Sequence, residues 1–174
     1  PDYGDVLFMP NVGKPKLRPG KEGERDSGYR SRLSHTDEQA SPGYYAVKLL
    51  DPGIRVELTA TARTGMHRYT FPASKQAHIV IDLGHGLGPD TPLETGLRVV
   101  SQNEIEGYRI SAGWAKEQRI FFVARFSKPM QGGLLDEDGL QQTELSAQGR
   151  LAAAVRYETA AGEHRQHAGP ASQL

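Results

Sequence analysis

The 174 residues carry 21 Lys plus Arg against 21 Asp plus Glu, and no cysteine. A chain of that length can bury its own core as one domain, its zero formal charge provides no field to draw nucleic acid, and without cysteine there are no disulfides, thiolate nucleophiles or Cys-ligated metals. No apolar run reaches the roughly 20 residues of a membrane helix, and Pro1-Asp2-Tyr3-Gly4-Asp5 does not open a secretion signal; because the sequence does not start with methionine, a trimmed or internal segment is expected.

Val6-Leu7-Phe8-Met9 is a short strand, apolar on both faces and so expected inside a sheet, stopped at Pro10. Asn11 to Arg32 is rich in Gly, Pro and charge without apolar periodicity, and reads as a solvated excursion. In Leu33 to Gly43, Ser34 or Thr36 can cap one helical turn, with Asp37 and Glu38 near its positive end and Pro42-Gly43 ending it. The same letters allow another reading, in which a buried His35 beside Asp37 and Glu38 builds a metal or acid–base site.

Tyr44 to Phe71 organises the rest. Apolar residues at Ile54, Val56, Leu58, Ala60 and Ala62 alternate with polar ones, the mark of a half-buried strand. Asp51-Pro52-Gly53 joins it to Tyr44–Leu50 as a hairpin, and Met66 to Phe71 adds a third strand. Such a meander implies an all-β, antiparallel β-sandwich, loop-rich and with few helical turns. His78 to Leu83 continues the pattern into the glycine-rich Gly84 to Pro89, which lacks the following helix and the Lys-Ser/Thr of a phosphate loop. His78 and His85 offer a metal no third ligand at suitable spacing.

Leu97–Val100 and Ile105–Ile110 form the next pair, and Gly107 within a strand implies a bulge or a close approach. Trp114 follows in a turn, either as a sugar platform or as a core plug. Gln118 to Phe126, apolar on one face and partly on the other, is expected mid-sheet. Gly132 to Gly139 reads as a polar hairpin tip, and Gly149 to Tyr157 as a last alternating strand with Leu151, Ala153, Val155 and Tyr157 inside. Residues 1–162 are thus expected to form one sandwich domain, and 163–174 an unstructured tail.

Several runs, in order, resemble the N-terminal β-sandwich (supersandwich) domain of glycoside hydrolase family 92, the bacterial calcium-dependent exo-α-mannosidases. They are Gly4 to Pro10, Ser34 to Glu38 with Pro42 to Tyr45, Glu57 to Thr61 with Gly65 to Pro72, and Gly107-Tyr108-Arg109 with Gly113-Trp114-Ala115 and Phe126 to Pro129. The resemblance implies a β-sandwich followed by an (α/α)6 catalytic barrel that cleaves terminal α-mannose, of exo-α-1,2 type, with inversion. It places the acid, the base and the calcium ligands in that barrel, so no catalytic or metal residue is carried over to this chain. It also implies a parent protein in the periplasm or outside the cell, acting on mannose-containing glycans. The segment before Gly4 is expected to be missing, which leaves the sandwich domain of residues 1–162 incomplete, and the sequence departs from the family after about Gly162.

On this reading the chain packs on the barrel and helps shape the sugar site, with His35, Asp37, Glu38, His67 and Trp114 as sugar-site or domain-border candidates. The alternative is a free-standing carbohydrate-binding module, with ligand held by loops such as Ser34 to Ser41 or Gly84 to Asp90. A self-sufficient hydrolase would need two facing carboxylates drawn from Asp37, Glu38, Asp82, Glu104 and Glu106.

Overall fold

The structure, a computed structural model, describes residues 4–86, 88–113, 115–160 and the backbone of 166–168. Its strands are β1 (Leu7–Asn11), β2 (Gln39–Ser41), β3 (Tyr44–Leu49), β4 (Ile54–Ala60), β5 (Gly65–Thr70), β6 (Ser74–Asp82), β7 (Thr91–Ser101), β8 (Glu104–Ala112), β9 (Gln118–Arg125), β10 (Leu134–Leu135), β11 (Gln141–Gln142), β12 (Glu144–Gln148), β13 (Ala152–Thr159) and β14 (Gln166–Ala168). They pair antiparallel in three sheets, ordered β1-β6-β13-β10-β11, β2-β3-β4-β5-β14 and β12-β7-β8-β9. This is the all-β antiparallel sandwich that the alternation implies.

The β3–β5 meander follows the sequence closely. Gly53 takes φ +67° in the turn after Pro52, the left-handed region that glycine enters without steric cost. Val47, Val56 and Tyr69 line up across the three strands. Their inward side chains meet Ile79, Ile81 and Val155 of the first sheet and Leu97, Ile105 and Phe122 of the third in one shared core. Each such large side chain, once buried, stabilises the fold by roughly 1.5–3 kcal/mol.

Strand β6 is the centre of the molecule, flanked by β1 and β13. Ala77 to Leu83 are buried on both faces. Ile79 and Ile81 face the shared core, whereas Val80 faces a second cluster with Leu17, Tyr29, Leu135, Ala152 and Ala154.

That second cluster corrects the solvated reading of Asn11 to Arg32. Leu17 and Tyr29 are buried, and the Tyr29 hydroxyl donates to Asp82 at 2.8 Å, so the excursion folds back and covers the outer face of the first sheet. Its two arms touch at Gly20 and Gly28, where a Cβ on Gly28 would come within 2.1 Å of the Gly20 nitrogen. The same covering explains why β1 is apolar on both sides although, among the described residues, it pairs only with β6 and so lies at a sheet edge, not inside it. Its hydrogen-bonded course also runs on through Pro10 to Asn11.

Four further expectations change. Strand β9 is also at an edge among the described residues, with Phe121 44% exposed. The segment expected to be a polar tip contains β10, whose Leu134 and Leu135 are buried against β13. The helical turn is a 3-10 turn, His35–Asp37, capped by Ser34 as expected, but it ends at Glu38, and Pro42-Gly43 instead turns β2 into β3. Within 163–174, expected to be a structureless tail, Gln166–Ala168 pairs with β5, with Ala168 opposite His67. The close approach expected at Gly107 is present, since a Cβ there would lie 2.6 Å from the Phe122 ring.

Candidate functional site

The capped turn and the meander together make a polar rim. Ser34 accepts from the Thr36 amide, which sets the turn so that His35 Nδ1 lies 2.6 Å from Glu38 Oε2. From β3, the Tyr45 hydroxyl donates to Glu38 Oε1 at 2.5 Å. Those two contacts, Tyr45 first, hold the Glu38 carboxyl below its usual range, and the same bond pushes the Tyr45 phenol up to about 12. His35 is not buried, contrary to the acid–base reading: its side chain is 92% exposed.

His67 lies on the same row. Tyr45, Leu58 and His67 are directly opposed across β3, β4 and β5, which puts the backbones of Tyr45 and His67 about 10 Å apart. His67 is half-buried, edge-on to Phe8, with Nδ1 2.7 Å from the Tyr69 hydroxyl. Burial lowers its pKa, favouring the neutral ring. Of the sequence candidates, then, His35 and Glu38 are in contact, Asp37 shares their turn, and His67 stands across the sheet from them. Trp114 lies outside the described residues.

The residues that sequence reasoning passed over sit at a buried junction joining the chain's first residues to the third sheet. Arg109 is fully buried on β8. Its Nε donates to the Leu83 carbonyl at 2.9 Å, and one terminal nitrogen pairs with Asp5 and, at 2.8 Å, with Asp90. Gln118 donates to the other Asp5 oxygen at 3.0 Å, and His85 Nδ1 meets the Gly4 carbonyl at 2.7 Å. Burial raises the Asp5 pKa despite the opposing Arg109 charge, and the neighbouring Asp90 raises it further. The two carboxylates act here as counter-ions of one guanidinium. A signal for this was present in the sequence: Ile105, Gly107, Arg109 and Ser111 share a strand face, and an arginine on the inward face needs a buried partner.

The other three acids considered for a hydrolase, Asp82, Glu104 and Glu106, each pair with an arginine. Asp82 accepts from Arg150 at 2.6 Å as well as from Tyr29, Glu104 pairs with Arg125 at 2.5 Å, and Glu106 pairs with Arg98 at 2.5 Å.

The family model described as the glycosyl hydrolase family 92 N-terminal domain matches residues 1–166. Among solved structures, the family GH92 α-mannosidase BT3965 of Bacteroides thetaiotaomicron is 36% identical and superposes with a TM-score of 0.90 over 100% of this chain and 24% of its own. The same enzyme in complex with mannoimidazole gives a TM-score of 0.89 at the same identity and coverage. The family GH92 inverting mannosidase BT2199 of B. thetaiotaomicron VPI-5482 is 22% identical over 97% of this chain and 22% of its own, with a TM-score of 0.74, which shows a shared fold. No curated protein matches the chain.

Proposed function

The chain belongs to glycosyl hydrolase family 92 as its N-terminal domain, and from that premise we propose that it serves an exo-α-mannosidase by packing on a helical catalytic domain and shaping one wall of the sugar site. The observation that carries this reading is the superposition of the whole chain on one part of an α-mannosidase. The geometry agrees with it. Inverting hydrolysis needs a protonated acid and a free carboxylate on opposite sides of the scissile bond, with room for water between. Asp82 and the Asp5–Asp90 pair are instead held by guanidinium groups inside the fold, and Glu104 and Glu106 pair with arginines on the outward face of the third sheet.

In this proposal the rim of His35, Asp37, Glu38 and His67 faces the companion domain or its sugar. The calcium implied by the resemblance does not fit here, because among the described residues no three His, Asp or Glu side chains stand close enough to hold a metal. Mannose-containing glycans as substrate, and a parent protein acting in the periplasm or outside the cell, belong to the same proposal.

The test is complementation. BT3965 lacking its own N-terminal domain is titrated with this chain, and release of an aryl leaving group from an α-mannoside is followed. Recovery of turnover that saturates with added chain is expected, with no turnover from the chain alone. Turnover by the chain alone that survives repurification and is lost on Glu38→Gln would replace this reading with that of a self-sufficient hydrolase.

A further inference from the structure

The outward face of the third sheet carries a second arrangement of aromatic and polar side chains, apart from the rim of His35, Glu38 and His67. Ser146, Gly96, Tyr108 and Phe121 are directly opposed across β12, β7, β8 and β9, forming one row. Gly96 has no side chain, and the Tyr108 ring lies down over it, so that a Cβ at 96 would come within 2.3 Å of that ring. Tyr108 is pinned there by its hydroxyl, which donates to Glu94 at 2.9 Å. Phe121 extends the shelf, its ring centroid 6.3 Å from that of Tyr108 with 35° between the planes. Over the shelf runs a groove of about 390 Å³, with Val123 on its apolar side and Arg98, Glu106, Glu144 and Ser146 around its rim. That volume lies within the roughly 300–1,000 Å³ of small-molecule sites.

Covering a glycine with a cross-strand aromatic is a known way to steady a sheet, and it accounts for Tyr108. It does not account for Phe121, which stays 44% exposed beyond the glycine. A protein partner is a poor occupant, because the buried centre of an interface is depleted of charge. This face carries the Arg98–Glu106 and Arg125–Glu104 pairs, with both arginines more than half exposed, and a partner would have to strip both of water. A pyranose matches both features, since its C–H face stacks on flat rings while its hydroxyls reach carboxylates, a guanidinium and a serine.

We propose that this groove is a saccharide-binding site carried by the chain itself, taking a hexopyranose ring stacked on Tyr108 and Phe121 with its hydroxyls toward Arg98, Glu106 and Ser146. The proposal goes beyond the domain's place in an α-mannosidase, and its failure would leave that reading intact.

The test is an amide chemical-shift titration of the 174-residue chain with methyl α-mannoside, methyl β-glucoside and, as a polyol without a ring, glycerol. Saturable shifts clustered at 94–98, 106–108, 121–123 and 144–146 are expected with at least one hexoside and not with glycerol, with a Kd of about 1 mM or weaker for so few contacts. Phe121→Leu keeps apolar bulk without a flat ring and should weaken binding about fivefold to tenfold, the loss of one stack. Tyr108→Phe keeps the stack and should change it less. Neither hexoside shifting this row at 100 mM (about a hundredfold over that Kd), shifts elsewhere only, or equal binding by Phe121→Leu would overturn the proposal. If that variant fails to fold, the shift map of the unaltered chain decides alone.

Discussion

Tyr108 and Arg109 are neighbours on β8 and occupy opposite worlds. Arg109 points inward, fully buried, and ties Asp5, Asp90 and the Leu83 carbonyl into one junction. Tyr108 points outward over Gly96, on a face where the neighbouring Arg98–Glu106 pair is exposed to water. The two faces of the third sheet therefore use charge differently. On the inner face, removing a partner strands a charge away from solvent. On the outer face, water replaces whatever is lost, and the surface is free to be shaped by a ligand.

The largest expected effect breaks the inner face. Arg109→Met leaves buried Asp5 and partly buried Asp90 without their cation and should cost about 3–5 kcal/mol, read as a large fall in the urea midpoint. Asp5→Asn in the same background should recover part of it, because one stranded charge is removed. Next comes the clasp on the other side of β6: Tyr29→Phe removes a hydrogen bond to the Asp82 carboxylate and should cost about 1.5 kcal/mol, while freeing 13–32 to faster amide exchange.

The third effect is a pH dependence. Burial lowers the pKa values of both His67 and His78. A folded pKa below the unfolded value leaves stability intact above about 6.5 and loses it as pH falls through the lower folded values. The thermal midpoint should therefore fall on acidification below 6.5, and His67→Gln should flatten that fall by one histidine's share. The smallest effect is on the outer face, where Arg98→Ala breaks an exposed pair and should leave the urea midpoint unchanged within error. A large drop there would erase the contrast between the faces.

How much of this was legible in the sequence depends on which face a residue serves. The β3–β5 meander was plain because strict alternation in Ile54 to Ala60 marks one wet and one dry side. Strands β1 and β9 read as inner strands because both of their faces are apolar, but apolar faces report what covers a strand above and below, not which strands flank it in the sheet. In β1 the second face is covered by Leu17 and Tyr29, from a stretch whose scattered apolar residues have no period to read. In β9 the second face carries Phe121, exposed in the groove. His35 and Glu38 could be paired from one local turn, but Arg109 with Asp5 spans 104 positions, and no local spacing announces such a partner. The anomaly that could be read was the arginine itself, in phase with Ile105 and Gly107 on a dry face.

The most direct measurement of the central claim is the activity of one chimaera, BT3965 with its N-terminal domain replaced by residues 1–166 of this chain, assayed on an aryl α-mannoside. A domain that packs on the catalytic partner and completes its sugar site should give turnover within about tenfold of the parent enzyme, a barrier change near 1.4 kcal/mol. A soluble, cooperatively folding chimaera with no turnover would contradict it.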